Sequence, residues 1–264
     1  MRVLPTLFPD AESLGSALAA RIADGIASAA ADQRLFVLGC PGGRSALSTY
    51  VALAVEVAVR DLDLRHLVVA MMDEYVERGA DGTFRRVDPS LGYSCARFGE
   101  VEIVQRLNAA AGPGRGVSAD RFHVPDPADP GAYDRRIAEL GGVDLFLLAS
   151  GAGDGHIAFN PPGTARGART RVVALAEQTR RDNLHTFPVF GGRLHAVPKY
   201  GVTVGTGTIR ELSRSVVMVA HGAQKAQAVR RLSAAERYEA DWPATIFTEC
   251  VDARLFVDVT SAES

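Results

Sequence analysis

The run Leu35-Phe-Val-Leu-Gly-Cys40, continued by Pro41-Gly-Gly-Arg-Ser45, is the stretch on which the fold turns. A continuous apolar run of this length suits a strand buried on both faces. The glycines after it allow a tight turn. Residues 45–60 carry apolar side chains at helical spacing and read as a helix, with Ser45 as its N-cap. A strand, a glycine loop and a helix in that order make the first half of a βαβ unit.

The same alternation extends outward. Residues 66–72, 143–149, 201–204, 215–220 and 253–259 read as further strands. Residues 11–31, 100–110, 130–140, 223–235 and 244–251 read as helices. The fold class this implies is α/β: one doubly wound, Rossmann-like domain over residues 1–264, a mostly parallel sheet with helices on both faces. Two stretches, 77–92 and 150–171, are rich in Gly, Pro and polar residues. Both follow strands, so both fall at the strand ends where open α/β sheets bind ligands.

The chain has 264 residues, 47% of them hydrophobic and 23% charged, the balance of an ordinary globular protein. Lys plus Arg is 29 and Asp plus Glu is 31, a formal charge of -2, which argues against nucleic acid as the main partner. No run approaches the ~18 apolar residues of a membrane helix, and residues 1–10 do not read as an export signal. The three cysteines, Cys40, Cys95 and Cys250, are far apart and form no C-x-x-C, so reduced thiols and a cytoplasmic location are expected. Cys40 borders the glycine loop, where a small buried hydrophobe is the plainer reading than a nucleophile.

Four segments could carry chemistry. Gly42, Gly43, Arg44 and Ser45 lie between strand and helix, where free N–H groups, the helix dipole and added donors suit a phosphate. The segment lacks the spacing of a P-loop or a dinucleotide loop, and a plain turn is the alternative. Met72-Asp-Glu-Tyr75 ends an apolar strand; Asp73 is a candidate general base and Glu74 the other, a helix cap or solvated strand end being the alternative. Gly151-Ala-Gly-Asp-Gly-His156 sets Asp154 two residues from His156, and an Asp can orient a neighbouring imidazole for acid–base work. A nucleotide loop on Gly151, Gly153 and Gly155 is disfavoured, because Asp154 would repel phosphate. In His221-Gly-Ala-Gln-Lys225, the lysine opens a helix, against the dipole, as if it held an anion.

In this order the segments resemble the glucosamine-6-phosphate deaminase and 6-phosphogluconolactonase superfamily, from about Leu35 to Val259. The most specific stretch is Asp154-Gly-His-Ile-Ala-Phe-Asn160, supported by Met72-Asp-Glu-Tyr-Val76, Val197-Pro-Lys-Tyr200, Thr203-Val-Gly-Thr-Gly-Thr208 and Gly222-Ala-Gln-Lys225. Tyr75 after Glu74, and Ile157-Ala-Phe-Asn160 after His156, are similar to the deaminase branch rather than the lactonase branch. The resemblance implies an isomerase/deaminase that turns an amino-sugar 6-phosphate, such as glucosamine 6-phosphate, into a ketose 6-phosphate and ammonia. It implies neither metal nor organic cofactor. Asp73 would move a proton between C2 and C1, His156 would open the pyranose ring and Asp154 would be its partner. Gly42, Gly43, Arg44, Ser45, Gly155, His185 and Lys225 would bind the substrate and its phosphate.

Three residues depart from the deaminase pattern. Pro161 stands where those enzymes have a Glu after the Asn. His185 stands where a phosphate-binding Arg falls, and Arg44 where a small residue is usual. We expect the cation to have moved across the pocket to Arg44, since imidazole is only partly charged at pH 7 and lacks the guanidinium fork. Lactone hydrolysis and a non-catalytic sugar-phosphate sensor stay open as alternatives. The resemblance leaves the choice between monomer and homo-oligomer open.

Overall fold

The computed structural model describes residues 2–262, apart from the side chain of His185. In chain order the elements begin with β1 (Pro5–Phe8), α1 (Ala11–Ala31), β2 (Phe36–Cys40), α2 (Leu47–Val59), β3 (Leu67–Met71), β4 (Asp73–Arg78) and β5 (Phe84–Arg86). There follow α3 (Cys95–Phe98), α4 (Arg106–Ala110), β6 (Phe122–His123), α5 (Pro130–Glu139), β7 (Leu145–Ala149), β8 (Arg171–Ala174) and α6 (Glu177–Thr186). The chain closes with β9 (Tyr200–Thr203), α7 (Thr206–Leu212), β10 (Val216–Ala220), α8 (Ala226–Ala234), β11 (Ala253–Asp258) and α9 (Val259–Ala262).

Among the described residues, seven strands form a parallel sheet in the order β1-β11-β10-β7-β2-β3-β6. This is the doubly wound sheet that the sequence pattern predicts. Every residue of β2, β3 and β10 is buried, as apolar runs covered on both faces must be. Alternate residues feed two cores. Leu38, Val69 and Leu147 pack with Leu18, Ile22 and Ile26 of α1 and Tyr50, Leu53 and Val57 of α2. Val37, Val68 and Leu148 pack on the other face with Ile137 of α5, Ile209 of α7 and Leu232 of α8. Each fully buried Leu or Ile contributes about 1.5–3 kcal/mol.

A second sheet, antiparallel and ordered β5-β4-β9-β8, was not expected from the pattern. The expected strand at 201–204 is real, but as β9 it pairs with β4 and β8, not with the parallel sheet. Only Met72 separates β3 of the first sheet from β4 of the second. Met72 N donates to Cys40 O at 3.0 Å, and Val204 N donates to Met72 O at 2.8 Å, so this residue ties the sheets together.

Other boundaries also differ. Ser45 is not an N-cap: residues Arg44–Ala46 form a 3-10 turn, and α2 starts at Leu47 with no side-chain cap. The tighter turn satisfies the first N–H groups locally. The helix expected at 100–110 is α4 preceded by wider π turns over Gly99–Gln105. The helix expected at 244–251 is a 3-10 segment, Pro243–Glu249.

Candidate active site

A cavity of about 410 Å³ opens at the C-terminal ends of the parallel strands. Its wall holds Gly42, Gly43, Arg44 and Ser45 after β2, Asp73 after β3, His156 after β7 and Lys225 after β10. Helix α6 closes one side through Thr179, Asn183 and Thr186. Asn183 Nδ2 donates to Tyr75 Oη at 2.8 Å, joining α6 to the second sheet.

Asp73 is 5% exposed. Burial, helped by the neighbouring charge of Glu74, pushes its carboxyl up to about 7, against a lowering hydrogen bond from Cys95. A carboxyl near neutrality can both take and return a proton at working pH. Glu74, the other candidate base, is fully buried and faces away from the cavity. Its Oε1 accepts from Tyr75 N at 2.7 Å and Cys95 N at 2.9 Å, and its Oε2 from Ser94 Oγ at 2.7 Å and Ala96 N at 2.8 Å. Four donors leave Glu74 no room for substrate: it fastens the start of α3 to β4.

His156 and Asp154 form the pair expected. His156 Nδ1 lies 2.7 Å from Asp154 Oδ1, which also accepts from His156 N at 3.2 Å. Burial pushes the Asp154 carboxyl up, but the hydrogen bond and charge of His156 outweigh it and hold it below its ordinary value. An ionised Asp154 accepts only, so Nδ1 carries the proton and Nε2 is the working nitrogen. Asp154 stands behind the imidazole and not on the cavity wall. Gly151 lies beneath both: a Cβ there would come within 2.2 Å of Asp154 Oδ1 and 2.3 Å of His156 Nδ1.

The loop is held beyond the pair as well. Asn160 is fully buried; its Nδ2 donates to Ile157 O at 3.0 Å and Val204 O at 2.7 Å, and its Oδ1 accepts from Arg171 Nη1 at 2.9 Å. Pro161 contributes a backbone carbonyl, which accepts from Thr164 N at 3.1 Å and Thr164 Oγ1 at 2.7 Å. The turn at Pro161 is therefore closed by backbone.

The glycine loop after β2, expected to bind phosphate, is tightly packed on one side and open on the other. A Cβ on Gly42 would meet Cys95 Cβ at 2.9 Å, whereas Gly43 has open space beside it. Arg44 is exposed, lines the cavity, and donates from Nη2 to Thr186 O at 3.2 Å. Its guanidinium therefore lies at the end of α6, on the residue after His185. The side chain of His185, expected as a substrate ligand, lies outside the described residues. Lys225 donates from Nζ to Ser150 O at 2.6 Å. Burial pulls its ammonium below the ordinary lysine value, against the charges of Asp182 and Asp154. Gly155 is not on the wall; a Cβ there would lie 2.2 Å from the Trp242 ring, and its φ is +64°, so packing and backbone shape require glycine.

Besides the α6 residues, sequence reasoning did not place Cys95, Tyr75 and Tyr93 on the wall. Cys95, not Cys40, is the thiol in the site: Cys40 is fully buried inside β2 and its thiol is pushed up to about 12 by burial. Tyr75 and Tyr93 face the cavity and each other, ring centroids 5.7 Å apart. Nothing in an isolated Tyr or Cys distinguishes a wall from a core, so no signal was available for them.

The geometry defines an α/β protein with a glycine loop, a buried carboxyl and an Asp-oriented histidine around one cavity. The family model for glucosamine-6-phosphate isomerases/6-phosphogluconolactonase matches residues 9–256. The chain is 40% identical over 196 residues to a glucosamine-6-phosphate deaminase of an Arthrobacter species, covering 74% of this chain and 68% of that one. It is 36% identical over 244 residues to a glucosamine-6-phosphate deaminase of Beutenbergia cavernae, covering 92% and 87%. A solved structure described as a monomeric glucosamine-6-phosphate deaminase superposes with a TM-score of 0.83 at 27% identity, covering 100% of this chain and 99% of that one. The chain belongs to the glucosamine-6-phosphate isomerase/6-phosphogluconolactonase family, in its glucosamine-6-phosphate deaminase branch.

Proposed function

We propose that the chain is a glucosamine-6-phosphate deaminase, converting glucosamine 6-phosphate and water into fructose 6-phosphate and ammonia. The observation that carries this reading is that Asp73, with a carboxyl near neutrality, shares one cavity with the histidine that Asp154 orients.

His156, oriented by Asp154, moves the proton that opens the pyranose ring to the aldehyde. Asp73 then takes the proton from C2 and returns it to C1. This converts the amine-bearing carbon to an imine, which water hydrolyses to the ketone with loss of ammonia. The burial that raises the Asp73 carboxyl is what lets one group serve as base and then as acid. Gly42, Gly43, Arg44 and Ser45, with Lys225 across the cavity, hold the 6-phosphate. Arg44 supplies a fixed positive charge that the imidazole of His185 would give only in part.

The protein acts as one domain in the cytoplasm on this reading. Its thiols, Cys40, Cys95 and Cys250, are buried and unpaired, as a reducing compartment requires. Incubation with glucosamine 6-phosphate tests the proposal. Ammonia and fructose 6-phosphate should appear in equal amounts, and neither with Asp73→Asn. Hydrolysis of 6-phosphogluconolactone with no ammonia from the amino sugar would replace it.

A further inference from the structure

Gly155 joins Asp154 to His156, and a distant side chain fills the space where its own would stand. A Cβ on Gly155 would lie 2.2 Å from Cδ2, 2.3 Å from Cγ and 2.4 Å from Cε2 of Trp242. The indole is therefore in contact with the backbone between the two members of the pair. Two residues past the ring, Ala244 N donates to Gly155 O at 2.9 Å, so ring and amide hold the same residue. We propose that Trp242 is a positioning residue for the reaction, its ring bracing Gly155 so that Asp154 and His156 keep their hydrogen bond at the cavity edge.

A brace must itself be held, and Trp242 is. It is 4% exposed. Its N–H donates to Glu239 O at 3.0 Å, and its carbonyl accepts from Thr245 N at 2.9 Å and Thr245 Oγ1 at 2.7 Å. Thr245 Oγ1 accepts in turn from Glu239 N at 2.8 Å, which closes the turn around the tryptophan. The Arg231 guanidinium lies 5.3 Å from the ring centroid and is paired with Asp241 Oδ2 at 2.6 Å. Ala240 O, in the same turn, accepts from Gly163 N at 2.7 Å, a second hold on the segment that follows β7. The indole N–H has no hydrogen-bond partner among the described residues, so the ring acts by its face and volume. Gly155 has a φ of +64°, a shape that glycine adopts and leaves easily. Without the ring, the loop is free to relax and to carry His156 off Asp154, now 2.7 Å away.

The effect on turnover rests on the deaminase reading, whereas the bracing does not. Two measurements therefore separate them. The first is the Nδ1 proton resonance of His156, assigned by its absence in His156→Gln. It should stand far downfield in the wild type and in Trp242→Phe, and be lost to solvent exchange in Trp242→Leu and Thr245→Val. The second is turnover of glucosamine 6-phosphate. Trp242→Leu should lower kcat about 10²-fold with KM within about twofold, because the residues proposed to hold the phosphate lie on other loops. Trp242→Phe keeps a flat ring and should hold kcat within about threefold of wild type. Thr245→Val keeps the core volume but unties the turn, should lower kcat about tenfold, and carries the test if Trp242→Leu does not fold. A resonance unchanged in both Trp242→Leu and Thr245→Val overturns the proposal. So does an unchanged kcat, a loss that falls on KM, or a Trp242→Phe as slow as Trp242→Leu. If the wild type releases no ammonia yet the resonance is lost in these variants, the deaminase reading fails and the bracing of the pair by Trp242 stands.

Discussion

Asp73 and Glu74 are consecutive residues on β4, and their carboxyls end in opposite surroundings: one on the cavity wall, the other enclosed by four donors. Strand alternation sends them to opposite faces. The acid with few donors is left basic and the acid with many is fixed in place.

The first prediction concerns stability. The folded-state value of Asp73, about 7, lies above the unfolded value of about 3.9, so the native state holds this proton more tightly. Its contribution favours folding below about pH 4 and is lost as pH rises through 7. Asp73→Asn never ionises there. It should be more stable than wild type at pH 8, by on the order of 2–4 kcal/mol, with the gap closing towards pH 4. Turnover should fall at least about 10²-fold. Urea unfolding at the two pH values measures the gap; a gap that does not depend on pH would show that Asp73 is not held in the way described.

The second concerns Glu74. In Glu74→Gln, an amide N–H₂ replaces an oxygen that accepts from two donors, so buried donors lose their partner. We expect a loss of about 1–3 kcal/mol in unfolding free energy. Wild-type stability in this variant would contradict the role of Glu74 in fastening α3.

The third concerns the histidine pair. In Gly151→Ala the new methyl must displace Asp154 or His156, since either would lie within 2.3 Å of it. A shift of the reacting group by about 1 Å lowers rates on the order of 10²-fold. Circular dichroism should remain native while kcat falls by this amount. A kcat within twofold of wild type would remove the pair from the chemistry.

The fourth concerns the displaced cation. Arg44 is exposed, so Arg44→Ala should leave stability unchanged. Loss of a charged hydrogen bond to phosphate should raise KM for glucosamine 6-phosphate roughly tenfold or more. Binding of a sugar without phosphate should not change. An equal loss for both would mean that Arg44 serves the loop and not the phosphate.

These residues also mark what was legible in the sequence. Strands β2, β3, β7 and β10 were legible because burial on both faces demands an unbroken apolar run. Asp154 and His156 were legible because chemistry and spacing coincide within one short loop. The second sheet was not: β4 reads Asp73-Glu-Tyr-Val-Glu-Arg78, and β8 has only four residues. Their pairing is set by tertiary contacts rather than by hydrophobic period. The split between Asp73 and Glu74 was hidden for the same reason, since it depends on which strand edge and which helix start lie nearby. Cys95 was hidden because the carboxylate that holds its backbone, Glu74, lies 21 positions earlier in sequence, and the helix start it belongs to is announced by no periodicity.

Asp73 stands opposite Thr203 in the β4–β9 ladder, and Glu74 opposite Val202. A slip of β4 by one residue would turn every side chain on it to the other face. It would bury Asp73 among backbone amides and turn Glu74 into the cavity. On the proposed function, the register of a small outlying sheet therefore chooses which of two adjacent acids can do chemistry, so strand alignment is as much a requirement of the site as the carboxylate itself.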